Sequence, residues 1–76
     1  MNKRMMVYKV EESDFHTGRF YTSCVARTKR AAVKWIKREH PSAKLKRPGR
    51  VGFSLWYEDE KAQLIIAVSS TAIEVL

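Results

Sequence analysis

The stretch Thr28 to His40, Thr-Lys-Arg-Ala-Ala-Val-Lys-Trp-Ile-Lys-Arg-Glu-His, constrains this chain most, because it is the only convincing helix in the sequence. Wound at about 3.6 residues per turn, Ala31, Ala32, Trp35 and Ile36 share one side, with Trp35 at its centre. Lys29, Arg30, Lys34, Lys37 and Arg38 spread over the rest of the surface. Thr28 is a good N-cap, since its hydroxyl can accept a bond from an orphan amide of the first turn. Pro41 ends the helix: it has no N–H, and it pushes His40 out of the α region. One amphipathic helix cannot bury its own apolar side. The remaining chain must supply the surface it covers, and that chain reads as strands.

Residues Arg4 to Glu12 alternate, with Met6, Tyr8 and Val10 on one side and Met5, Val7, Lys9 and Glu11 on the other. Ser13 to Gly18 is a polar loop, and Arg19 to Arg27 is a second strand, with Phe20, Thr22, Cys24 and Ala26 facing one way. Pro41 to Arg50 holds two prolines and a glycine and reads as a loop, with room for a short edge strand at Ala43 to Arg47. Val51 to Glu58 alternates again, Val51, Phe53, Leu55 and Tyr57 against Gly52, Ser54, Trp56 and Glu58, and Asp59-Glu60-Lys61 is the turn after it. Ala62 to Val68 is apolar on both sides, which suits a central strand. Ser69-Ser70-Thr71 is expected to turn the chain into a short last strand, Ala72 to Val75.

The order is therefore β-β-α-β-β. It predicts an α+β fold: one antiparallel sheet of four to five strands with the helix across one face. Trp35 and Ile36 are expected to dock on Val10, Cys24, Phe53 and Leu64. That leaves Ile65 and Ala67 on an open apolar face, where a homodimer contact is expected.

Size and composition narrow the function. The 76 residues make a single domain over 1–76, and the 45% apolar fraction suits one small core but no deep catalytic cleft. Cys24 is the only cysteine, so there is no internal disulfide, as in a reducing cytoplasm. No apolar run approaches the roughly 20 residues of a membrane span. The opening Met-Asn-Lys-Arg-Met-Met-Val-Tyr lacks the apolar core of a secretion signal. A soluble cytoplasmic protein is expected. Two histidines, His16 and His40, and one cysteine show no metal-ligand spacing. Cys24 lies mid-strand with small neighbours and reads as a buried core thiol, and the Glu58-Asp59-Glu60 cluster reads as solvated charge at a hairpin tip. No glycine-rich phosphate loop is present. The expectation is a protein that is not an enzyme and has neither cofactor nor metal.

The charge is unevenly placed. Arg27 to Arg50 carries ten basic residues and one acid, Glu39, while the rest of the chain has five basic and seven acidic residues. A charge confined to one helix and the loop after it makes a directed field that attracts polyanions or acidic protein surfaces. The candidate contact residues are Lys29, Arg30, Lys34, Lys37, Arg38, Lys44, Lys46, Arg47 and Arg50. Phe15 near the tip of the first loop, and Trp56 and Tyr57 on the sheet, are secondary candidates.

Two resemblances bear on the partner. The junction Arg27-Thr-Lys-Arg-Ala-Ala resembles the strand-to-helix junction of integrase arm-binding domains, which implies direct binding of DNA or RNA. The opening strand Val7-Tyr-Lys-Val-Glu-Glu12, the junction Ala26-Arg-Thr-Lys-Arg-Ala-Ala32 and the hairpin Leu55-Trp-Tyr-Glu-Asp-Glu60 resemble small phage-encoded anti-CRISPR inhibitors that pack one helix on an antiparallel sheet. That resemblance implies a phage or mobile-element protein acting in the host cytoplasm. Its partner would be a host protein or nucleoprotein machine, such as a type I CRISPR surveillance complex, met through the Lys/Arg surface.

Overall fold

The computed structural model describes residues 3–75. β1 (Lys3–Asp14) and β2 (Tyr21–Ala26) form the first hairpin, and α1 (Lys29–Glu39) follows directly. A two-residue strand β3 (Lys44–Leu45) leads through a loop to β4 (Leu55–Asp59) and β5 (Leu64–Val75). The strands make one antiparallel sheet in the order β2-β1-β5-β4-β3, with α1 on one face. The α+β class, both hairpins and the central place of β5 follow the predicted pattern. Thr28 caps α1 as expected, its hydroxyl accepting from the Ala31 amide at 3.1 Å. His40 closes the other end, its amide donating to the Ile36 carbonyl at 2.7 Å.

The core lies where α1 crosses the sheet. Val10, Ile66, Val68 and Tyr57 share one sheet face through the pairs Val10↔Val68 and Tyr57↔Ile66, and Ala32 and Ile36 pack onto them. The helix is turned relative to the expected orientation. Ile36 is only 1% exposed and Ala32 is fully buried, whereas Trp35 is half-buried and Ala31 is exposed. Residues 32 and 36 are one turn apart, so centring that pair brings Val33 toward the sheet in place of Ala31.

Three strand expectations need correction. Ser69-Ser70-Thr71 does not turn the chain; Ser69, Ser70 and Thr71 pair with Lys9, Tyr8 and Val7, and β5 runs on unbroken to Val75. The three residues include no glycine, proline, asparagine or aspartate to supply turn geometry, and the long partner strand extends the ladder through them. The fifth strand is β3 instead. Nor does β4 begin at Val51: Gly52 adopts a left-handed φ of 91°, the Phe53 amide bonds the Arg50 carbonyl at 3.2 Å, and this turn leaves Val51 101% exposed.

The third correction is a β-bulge. Val10 pairs with Cys24 but Glu11 pairs with Thr22, so Ser23 is the extra residue. Cys24 and Ala26 stay under the helix as expected, while the chain before the bulge changes sides. Phe20 therefore lies against Phe53 and Trp56, with ring centroids 6.0 Å from each, and Phe53 meets Trp56 at 5.2 Å. Phe53 is thus on the face away from α1, not beneath Trp35. This aromatic cluster also covers part of the face on which the dimer contact is expected. Trp56 pairs with Ala67 in the ladder, and Ala67 and Ser13 are fully buried on that face. On the face expected to be open, Ala67 is fully buried and Ile65 is half-buried, while Val25 and Ile73 on the same face remain exposed.

Two aspartates hold the loops at one end of the sheet. The Asp59 carboxylate accepts from the Ala62 amide at 3.1 Å and the Ser42 hydroxyl at 2.8 Å. Asp14 accepts from the amides of Thr17 at 2.6 Å and His16 at 2.8 Å. These bonds favour the charged form and hold both carboxyls below the ordinary range, the Ala62 amide contributing most at Asp59 and the Thr17 amide most at Asp14. A carboxyl with a depressed folded-state pKa stabilises the fold fully above its unfolded-state pKa, and loses that contribution as pH falls through the lower folded value. The melting temperature is therefore expected to fall below about pH 4. Asp59→Asn should flatten that acid limb, and an unchanged slope would show that these bonds do not set it.

Candidate functional site

The site is built by what α1 leaves uncovered. The helix packs over β1 and β2, at one side of the sheet. Lys29, Val33, Ile36, Lys37 and His40 follow one another around the flank of α1 that looks toward β3 and β4. Between that flank and the β3 edge lies a groove of about 430 Å³. Val33, Ile36, Ala43, Leu45, Leu55 and Tyr57 form its floor, and Lys29, Lys37, His40 and Arg47 stand at its margins. It shares Lys29, Leu45, Arg47 and Leu55 with a neighbouring hollow of about 430 Å³ under the loop after β3, where Lys46 adds another cation. Among the described residues, no acidic side chain lines either depression. Tyr57 is 7% exposed, and burial pushes its phenol up, against a smaller opposite effect of Arg47.

The far end of α1 is anchored by a buried polar cluster. Glu12 points to the helix side of the sheet, where its carboxylate pairs with His40 Nε2 and accepts a bond from the Ser23 hydroxyl. The His40 ring lies edge-on to Trp35 at 5.8 Å between centroids. This cluster fixes the helix C-terminus against the sheet and so holds the groove margin in place. Ser23 donates to the carboxylate, not to the imidazole, so this cluster holds no hydroxyl paired with a histidine base. Burial, and secondly the Glu12 charge, push the Cys24 thiol up, which keeps it protonated and a poor nucleophile. Among the described residues, no group of three or more His, Cys, Asp or Glu side chains is placed to hold a metal ion, and no helix is long and apolar enough to cross a membrane.

The nine predicted cationic residues do not form one face. Lys29, Lys37 and Arg47 converge on the groove, with Lys46 in the adjoining hollow. Arg30 and Lys34 are exposed but line neither depression, and Arg38 pairs with its neighbour Glu39 at 3.0 Å. Lys44 sits opposite Glu58 in the β3–β4 ladder, and with Lys46 it lines an edge depression that also holds Glu58 and Glu60, so much of its field is compensated. Arg50 is carried to the other side, its guanidinium 5.5 Å from the Trp56 ring centroid.

The secondary candidates have different surroundings. Trp56 is 8% exposed, its indole N–H donating to Glu58 at 3.0 Å, and Tyr57 is groove floor; neither ring is free on the sheet surface. Phe15 does remain 40% exposed, with its amide bonded to the Gln63 carbonyl at 3.0 Å, and it lines no part of the groove. Sequence reasoning missed Val33, Ala43, Leu45 and Leu55, which carry no chemistry of their own. Leu45 alone left a trace, as a lone leucine between two lysines. It also missed Glu12, whose parity with Val10 set a charge on the helix side of β1.

Searches of protein-family models, of curated proteins and of solved structures find no match to this chain.

Proposed function

We propose that this protein is a non-enzymatic binding module that inhibits or modulates a nucleoprotein complex through its cationic groove. The observation that carries the reading is the convergence of Lys29, Lys37 and Arg47 on one groove whose lining includes no acid. Cations held by packed elements without local counter-charge create a field that steers an anionic partner and is weakened by salt. A type I CRISPR surveillance complex, encountered by a phage or mobile-element protein in a host cytoplasm, is the target that the anti-CRISPR resemblance suggests. The rival reading is a domain that binds DNA or RNA directly.

The test is target-duplex binding by a purified type I surveillance complex, with and without the protein. Lys29→Glu, Lys37→Glu and Arg47→Glu together should abolish inhibition while circular dichroism stays unchanged, since all three side chains are exposed. Arg30→Glu with Lys34→Glu, outside the groove, should leave inhibition within about threefold, because isolated solvated charges contribute little. Full inhibition by the folded triple variant would sink the proposal. A salt-dependent shift of random duplex by the protein alone would favour the rival.

A further inference from the structure

Resting on the reading of the groove as a binding surface, we infer that its occupant is an extended acidic polypeptide segment carrying a large apolar side chain between two carboxylates. The floor excludes a phosphate backbone as the best fit: Val33, Leu45 and Leu55 remain partly accessible there and offer apolar surface, whereas nucleic-acid interfaces are predominantly polar and basic. Single strands are gripped by bases stacked on open aromatic rings. Tyr57 is buried, and Trp56, at the edge of the adjoining hollow, is already packed against Phe53 and faced by Arg50. The exposed rings of Phe15 and Tyr21 lie outside both depressions.

The charges fit a peptide in spacing as well as in sign. Lys29 and Lys37 stand on the same flank of α1, eight residues apart, which is about 12 Å along a helix rising about 1.5 Å per residue. An extended segment rises about 3.3 Å per residue, so carboxylates four positions apart span about 13 Å. In such a segment every second side chain points the same way, so the residue midway between the two acids faces the floor with them. Arg47 on the opposite margin provides a further cation. The recognised pattern is acid, any residue, large apolar residue, any residue, acid.

A phage-displayed library of random peptides, panned on the immobilised protein, tests this. The expected result is enrichment of that pattern. A synthetic peptide from the enriched pool should lose at least about tenfold in affinity to Lys29→Glu with Lys37→Glu. It should lose several-fold to Leu45→Ser, whose site is exposed enough to spare the fold. No enrichment, enrichment without the acids or the apolar residue, or affinity unchanged in both variants overturns the inference. Displacement of the peptide by an equal concentration of random duplex or single-stranded oligonucleotide also overturns it and assigns the groove to nucleic acid. The two proposals fail separately: loss of inhibition in the triple variant without peptide enrichment removes only the segment, whereas inhibition retained by that variant removes the functional reading whatever the library yields.

Discussion

Glu12→Ala is expected to lower the free energy of unfolding by about 2–6 kcal/mol, because it leaves two hydrogen-bonding groups without their partner at about 1–3 kcal/mol each. Glu12 is 7% exposed and answers both His40 and Ser23, so the truncation strands an imidazole and a hydroxyl between α1 and the sheet. Chemical denaturation followed by circular dichroism measures the loss. Removing both groups, as Glu12→Leu with His40→Leu, should recover part of it, because the imidazole is gone and only the Ser23 hydroxyl is left without a partner. The comparison residue is Glu11, which is half-buried, lies 3.7 Å from Lys9 and is reached by the Ser69 hydroxyl at 3.5 Å. Glu11→Ala should cost less than about 1 kcal/mol, the usual scale of an exposed pair. A Glu12→Ala midpoint equal to that of the parent would show that the cluster does not anchor the helix.

Ile36→Ala is the second large effect, at about 2–5 kcal/mol, the range for truncating a buried aliphatic side chain and leaving a cavity. Ile36 belongs to the cluster of Val10, Tyr57, Ile66 and Val68, and its neighbours are held by the sheet ladder, so the site can collapse only in part. For a domain of this size the loss is a large share of total stability. Ile73→Ala is the control. Ile73 is 42% exposed, and its strand partner is Met5, so its truncation should cost less than about 1 kcal/mol. Equal losses at the two positions would mean that α1 is not seated on the sheet as described. Ile36 also lines the groove floor, so the variant reports on stability and not on binding.

The site was legible in its charge and not in its shape. The cationic tract is plain in the sequence, yet only Lys29, Lys37 and Arg47 converge on the groove. Helical spacing puts Arg30 and Lys34 on the same helix as Lys29, but only the packing angle of α1 decides which of them borders the sheet. Arg50 follows Arg47 closely in sequence and still reaches the other face, because the turn at Gly52 reverses the chain before β4. Alternation says that Trp56 and Tyr57, adjacent in one strand, face opposite ways. It does not say that both faces of this sheet are covered.

The features written in short stretches of the chain are local ones. The ends of α1 follow from a threonine hydroxyl and a proline, the hairpins from polar turn stretches between alternating runs, and the central place of β5 from apolar residues on both its sides. Each rests on backbone geometry and on neighbours within a few positions, which any reading of the chain contains. The rest came from long-range packing. The bulge at Ser23 moved Phe20 to the face of Phe53 and Trp56, the partner strand β1 carried β5 through its serines, and the seating of Ala32 and Ile36 left the groove open beside β3. These outcomes depend on residues far apart in sequence, and a shift of one residue in pairing turns a side chain from one face to the other. Periodicity cannot resolve that shift, because it repeats identically on either face.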